Sequence, residues 1–283
     1  MHADLSKEFE QLDITEHVSA PLADAAQPPR SPRPAKPLSA RSGRRKLLVL
    51  DANGFLFWRA RRSGSNEPRP ERPPDANSGN FSIWRRPRVR EFIVWAAERF
   101  HLVVWSTAMR HNIAPMVELA FEGLPPPLAI FDQSDCTDSG CVDPQNRHKR
   151  LMLKRLDHLW ASDRVLSAAG SFGPSDTLLI DDSPYKAAEN PEHTAVHPTE
   201  WSALDADDSP NTLALTPDGE VCRLLALVAE ADDVRHVVRQ LYGEQNGRAP
   251  PGFWQKPEES ELLRMVRRAR TKRSETLAAV SYS

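Results

Sequence analysis

The sequence predicts an α/β fold, with a parallel sheet covered by helices on both faces, and three observations predict it. Short continuous apolar runs alternate with stretches of helical period from about residue 45 to residue 200. The runs hold four to six residues, the size of strands buried on both sides. They also end in polar residues (Asp51, Ser106, Asp132 and the pair Asp181–Asp182), which marks the carboxyl edge where open α/β sheets bind ligands.

Each element follows from its own residues. "KLLVLD" is the first strand. "RPRVREFIVWAAERF" spaces Val89, Phe92, Ile93 and Ala96 along one helical face, with Pro87 at its start. "HLVVWS" is the second strand. "MRHNIAPMVELAFEG" is a helix interrupted by Pro115 and stopped by Gly123, and "PLAIFD" is the third strand. "HKRLMLKRLDHLW" is expected as a helix, with Leu151, Lys154 or Arg155, Leu156 and Leu159 turning through one face. "DTLLIDDSP" is a fourth strand and "HTAVHP" a fifth. Two insertions, "RARRSGSNEPRPERPPDANSGN" and "QSDCTDSGCVDPQNR", are expected as long loops over the strand ends. They either shape substrate access or, for the first, are simply tolerated.

Composition sets the limits. The chain has 283 residues and 25 prolines, and residues 1–44 are rich in Pro, Ser and basic residues, a composition expected to stay disordered. Residues 45–202 form the expected α/β domain, 203–219 an acidic linker, and 220–283 a helical extension with a basic tail. In that extension Val221, Leu224, Leu225, Val228, Val234, Val238 and Leu241 form one stripe. "RMVRRARTKR" places six basic residues in ten, either an address or partner patch or a solvated helix end. A net charge of −2 argues against a surface built for direct nucleic-acid binding. Three cysteines make no disulfide framework, which favours a reducing compartment, and no run is long enough to span a bilayer. Neither a signal peptide nor a presequence is recognisable at the N-terminus. A nuclear or cytoplasmic soluble protein is the expectation, with the mitochondrial inner membrane as alternative. Cys136 and Cys141 lack a second ligand pair at zinc spacing and are expected to be free.

The strand-end residues carry chemistry together. A carboxylate at Asp51 can attack phosphorus. Phosphoryl transfer then needs a hydroxyl on a phosphate oxygen, a lysine to balance charge, and acidic oxygens for a hard cation such as Mg2+. Ser106, Lys154 and the Asp181–Asp182 pair can supply them.

This order resembles the haloacid-dehalogenase superfamily and, within it, the branch of RNA polymerase II C-terminal-domain phosphatases, also called NLI-interacting-factor-like. The stretches that carry the resemblance are "KLLVLDANGFL", "RRPRVREFIVWAAERFHLVVWSTAMRHNI", "IFDQSDCTDSGC", "HKRLMLKRLDHLW" and "TLLIDDSPYKAAENPEHTAVHP", over roughly residues 44–200. The resemblance implies a Rossmann-like three-layer sheet, with Asp51 as nucleophile and magnesium ligand. It implies phosphate binding by Ser106 and Lys154, with Lys149 a second lysine candidate. Asp182 would be a magnesium ligand and Asp181 would orient the lysine. A phosphoprotein or other protein is the implied partner. The same domain occurs in the receptor subunit of the mitochondrial inner-membrane presequence translocase, where it serves protein recognition.

One residue departs from the pattern. Active members carry an aspartate two places after the nucleophile, as general acid and base; here it is Asn53. Its backbone carbonyl can still meet a metal, but an amide exchanges no proton near neutral pH. A threonine two places further on is replaced by Phe55, which is expected to make the mouth of the site more apolar.

Overall fold

Register at the sheet's carboxyl edge is what positions the site. A computed structural model describes residues 44–62, 68–243 and 252–281. The expected disordered tail lies outside the described residues, Arg44 apart. The central sheet joins β1 (Lys46–Leu50), β5 (Phe100–Trp105), β6 (Ala129–Phe131), β9 (Thr177–Ile180) and β10 (Ala195–Val196) in the order β10-β9-β1-β5-β6, and every pairing is parallel. Leu50 aligns with Val104 on one side and Ile180 on the other, so the first residues beyond these three strands end side by side.

Alternate residues of the strands face opposite ways, and both faces are buried. Leu48, Leu50, Leu102, Val104, Leu178 and Ile180 join one core, with Phe92 and Ile93 of α1 (Val89–Ala97) and Ile113 and Met116 of α2 (Arg110–Ala120). Leu47, Val49, Val103, Trp105 and Leu179 join the other. There they meet Leu156 and Leu159 of α3 (Leu156–Trp160) and Val165 of α4 (Asp163–Ala169). Period-two burial on both faces, each covered by helices, gives the three-layer α/β fold read from the sequence.

The two insertions are not the open loops expected. The first contributes the end of β2 (Phe57–Arg61) and all of β3 (Ala76–Ser78) to an antiparallel sheet completed by β4 (Phe81–Arg85), in the order β2-β4-β3. Its buried residues Phe57, Ala60, Ile83 and Trp84 follow no period of two, and prolines and charges surround them. The second forms a hairpin of β7 (Thr137–Asp143) and β8 (Asn146–Leu153). Residues 146–153 are therefore strand and not helix. Leu151 and Leu153 are buried two residues apart, and the helical spacing of Leu151 with Leu156 and Leu159 is coincidental. Lys154 consequently sits in the joint between β8 and α3.

Beyond the sheet, residues 212–215 form a 3-10 turn whose Ala214 and Leu215 pack into the first core. The single stripe expected over 221–241 is two helices, α5 (Glu220–Glu230) and α6 (Val234–Gly243). Asp233 breaks the stripe, its carboxylate accepting from the Arg235 backbone N–H at 2.9 Å. The basic segment lies on α7 (Glu261–Ser281), whose Leu263 and Val266 pack with Leu151, Leu153 and Tyr185. Among the described residues no helix is long and apolar enough to cross a membrane.

Candidate active site

Asp51 is the first residue past β1. Its backbone N–H donates to the Ile180 carbonyl at 2.9 Å, which pins it beside the end of β9. The chain then turns sharply: Gly54 N–H donates to Phe57 O at 2.7 Å, and Gly54 O accepts from Trp201 N–H at 2.8 Å. Gly54 has φ +86°, a left-handed conformation that disfavours any side chain. A Cβ there would also stand 2.7 Å from Asp182 Oδ2. The glycine is what lets the Asp182 carboxylate lie against this turn.

Three carboxylates and two ammonium groups meet at the ends of β1 and β9. Lys154 Nζ is 2.8 Å from Asp51 Oδ1 and 2.5 Å from Asp181 Oδ2. Lys186 Nζ is 2.9 Å from Asp51 Oδ2, 2.9 Å from Asp181 Oδ1 and 3.5 Å from Asp182 Oδ1. Lys154 and Asp181 are wholly buried and Asp51 nearly so. The two lysines are tied through the backbone as well, Lys154 N–H donating to Lys186 O at 2.8 Å. Burial opposes the charge on Asp51, but Lys154 and Lys186 outweigh it and hold its carboxyl well below the usual range. Burial likewise opposes the charge on Lys186, and Asp181, Asp51 and Asp182 raise its pKa well above the ordinary lysine value. Asp182 goes the other way. Burial, with Asp181 and Asp51 close by, raises its pKa well above the carboxylate range despite Lys186.

The remaining predicted residues fall around this cluster. Ser106 follows β5, one strand over from Asp51, and is buried; its Oγ accepts from Ala108 N–H at 3.2 Å and keeps its hydrogen for donation. Asn53 Oδ1 is buried with no hydrogen-bond partner. Lys149, the second lysine candidate, is exposed on β8 and pairs with Asp143 at 3.1 Å; it is Lys154 that meets Asp51. Phe55 does not line the mouth. It is fully buried in the first core, edge-on to Phe92 at 6.1 Å. Asp132 caps the 3-10 turn 133–135 by accepting from Ser134 N–H. Cys136 and Cys141 are free thiols, and burial pushes Cys136 up to about 11.

Asp51, Asp181 and Asp182 each offer an oxygen within 4.8 Å of the others, and among the described residues this is the one group of its kind. The all-oxygen donor set fits a hard divalent cation, as does the glycine cradle that admits Asp182.

A model of the NLI interacting factor-like phosphatases matches residues 46–235, two thirds of the chain. The chain belongs to that family. A relative, an uncharacterized FCP1 homology domain-containing protein of Schizosaccharomyces pombe, is 28% identical over 157 residues, covering 54% of this chain and 60% of that protein. Among solved structures, the chain is similar to the fission yeast RNA polymerase II CTD phosphatase Fcp1 bound to beryllium fluoride. That match has a TM-score of 0.36 and 14% identity, over 84% of this chain and 66% of the other. A second structure, of Fcp1 described as an essential RNA polymerase II CTD phosphatase, gives 0.35 and 15% over 80% and 62%. The chain thus spans less than two thirds of each of these proteins, and at such scores the structural likenesses bear on nothing further.

Within this NLI interacting factor-like domain, Lys186 is the site residue that sequence reasoning missed. It lies inside the quoted "DDSPYKAAENP" block, four residues after Asp182. That spacing on a helical turn, directly after two strand-end aspartates, was the available signal.

Proposed function

We propose that this chain is a magnesium-binding phosphatase-fold protein that works through an aspartyl-phosphate on Asp51, with weak turnover of phosphoserine and phosphothreonine. One observation carries the reading: Asp51 is held in a buried charge cluster, while two residues on the acid/base position is an amide whose oxygen is unpartnered.

Asp51, Asp182 and the Asn53 backbone carbonyl would hold Mg2+, which when bound supplies concentrated positive charge beside a phosphoryl oxygen. Lys154, oriented by Asp181, offsets a second phosphoryl oxygen, and the Ser106 hydroxyl donates to another. Asp51 attacks phosphorus in line and the substrate oxygen departs. That oxygen needs a proton when it comes from serine or threonine. Asn53 can donate a hydrogen bond but transfers no proton, and a positioned general acid or base is worth about 10² to 10⁴ in rate. The same deficit slows attack of water on the phosphorylated Asp51. Aryl phosphates leave unaided and would phosphorylate Asp51 more readily.

The test is magnesium-dependent turnover of a phosphoserine peptide by the wild type and Asn53→Asp. Restoring the acid raises turnover about tenfold or more; an unchanged rate would sink the reading. A second reading is favoured by the pairing of both Asp51 oxygens to lysines. The domain would then be a non-catalytic protein-binding module, as in the presequence-translocase receptor subunit, and a phosphopeptide would bind with no turnover in either protein. Either reading takes a phosphoprotein or other protein as partner. The nuclear or cytoplasmic location that goes with the first is separated from a mitochondrial membrane one by cell fractionation.

A further inference from the structure

We infer that Lys186 is a tethered cation that competes with the divalent ion for the carboxylates at the ends of β1 and β9, so that metal enters only when this side chain swings out. The inference rests on the proposed reading of Asp51 and Asp182 as metal ligands and concerns how access to them is controlled.

Lys186 Nζ contacts one oxygen on each of the three candidate carboxylates, at 2.9, 2.9 and 3.5 Å. A hard divalent ion needs oxygens of this kind at about 2.0 to 2.6 Å. An ion there would therefore stand within a few ångströms of the ammonium, in a pocket where charges are poorly screened and like charges repel strongly. The two cations exclude one another. Lys154 is a different case: it takes the opposite Asp51 oxygen and the far oxygen of Asp181, and no ion pair joins it to Asp182. Its position is compatible with a metal on the other side of Asp51. Both ammonium groups reach Asp51 and Asp181, so these two carboxylates are neutralised from within.

The side chain can leave without dismantling the sheet. Lys186 sits on the 3-10 turn Pro184–Ala187, outside the strands, and its backbone is fixed by its own N–H to Ser183 O at 3.0 Å and by Lys154 N–H to its carbonyl. While the ammonium stays, both oxygens of Asp51 are engaged and the nucleophile is masked.

The test measures metal binding directly. Mn2+ is titrated into the full chain, followed by the electron-spin signal of the free ion, for the wild type, Lys186→Met and Lys186→Met/Asp182→Asn. Lys186→Met tightens Mn2+ binding by about tenfold or more, and adding Asp182→Asn removes the gain. Equal affinity in the wild type and Lys186→Met, whether tight or weak, overturns the inference. Should Lys186→Met fail to fold, the wild type still decides. Mass-spectrometric mapping of amine acylation shows Lys186 protected without metal and labelled at saturating Mn2+, whereas Mn2+ binding with no change in labelling overturns the inference. None of these readouts needs turnover. Failure here, with Asn53→Asp still gaining activity, removes only the role of Lys186. Failure of Asn53→Asp, with Mn2+ still competing with Lys186, removes only the catalytic reading.

Discussion

The charge cluster at the ends of β1 and β9 and the Asn53 corner share one turn of chain, yet they are built on opposite principles. In the cluster every buried carboxylate meets at least one ammonium group, and Asp51 meets two. At the corner, two residues away, a buried amide oxygen has no partner. The difference teaches that holding a phosphoryl group and moving its proton are separable tasks. The first needs fixed charges, which buried ion pairs supply. The second needs a group that titrates, and an amide does not.

The strongest way to break this comparison is at the nucleophile. Asp51→Asn replaces the attacking carboxylate with an amide and leaves the rest of the cluster in place. Turnover of an aryl phosphate in the presence of Mg2+ falls to the uncatalysed rate. Activity that survives the change would belong to another site, and the cluster would then be a structural feature only.

Next in size is the cost of opening the cluster. Lys154→Met leaves the buried Asp51 and Asp181 short of one partner. Removing one member of a buried pair costs about 3–5 kcal/mol. Because Lys186 still reaches both carboxylates, the loss lies near the lower end of that range, read from urea unfolding. An effect below about 1 kcal/mol, the size typical of an exposed pair, would mean that the cluster is solvated and the contrast with Asn53 is lost.

Much of this was legible beforehand, and what was not has physical causes. The β1 and β9 strands read correctly because both of their faces are buried, so their apolar runs are continuous. Asp51, Asp181 and Asp182 could be singled out because strand ends converge at one edge of a parallel sheet; Lys154, expected within a helix, reaches them from the joint between β8 and α3. The β2–β4 sheet stayed hidden because nearly half of its residues are arginine, asparagine or serine and its buried positions do not alternate. The strand at 146–153 was misread because only Leu151 and Leu153 are fully buried in it, too few to fix a period. Phe55 was assigned to the mouth by its place in a motif, whereas its size and apolarity draw it into the core. Lys186 was passed over because a lysine on a short turn is ordinarily solvated, and only the three-dimensional closure of the β1 and β9 ends shows what it faces.

A smaller effect sharpens how corner and cluster are joined. Gly54→Ala forces a side chain onto φ +86° and onto the Asp182 carboxylate, whereas Gly79, at φ +52°, has nothing within 4 Å of where its Cβ would lie. Left-handed strain alone costs about 1–3 kcal/mol. Gly79→Ala measures that strain, and Gly54→Ala exceeds it in urea unfolding because a contact is added. Gly54→Ala also weakens Mn2+ binding and Gly79→Ala does not. Equal losses in the two variants would show that the turn does not hold Asp182 in place.

The smallest expected effect concerns protons beneath the cluster. His197 is buried, with Nδ1 at 2.8 Å from the Asp181 carbonyl, an arrangement that suits the neutral ring with Nδ1–H donating. Burial lowers its pKa from the ordinary value of 6.5, against the opposing pull of Asp181. The unfolded chain therefore takes up this proton at a higher pH than the folded one. Stability contributed by the buried neutral ring is fully present above the unfolded value and declines as pH falls through the interval down to the folded value. Urea unfolding at about pH 7.5 and about pH 5.5, on either side of the ordinary histidine range, reads this against His197→Phe. The wild type loses stability relative to the variant on acidification. Parallel losses in the two proteins would place the pH dependence in the carboxylates instead. Asn53 has no titration of its own, so a pH response traced to His197 belongs to the support of the cluster and not to the idle corner.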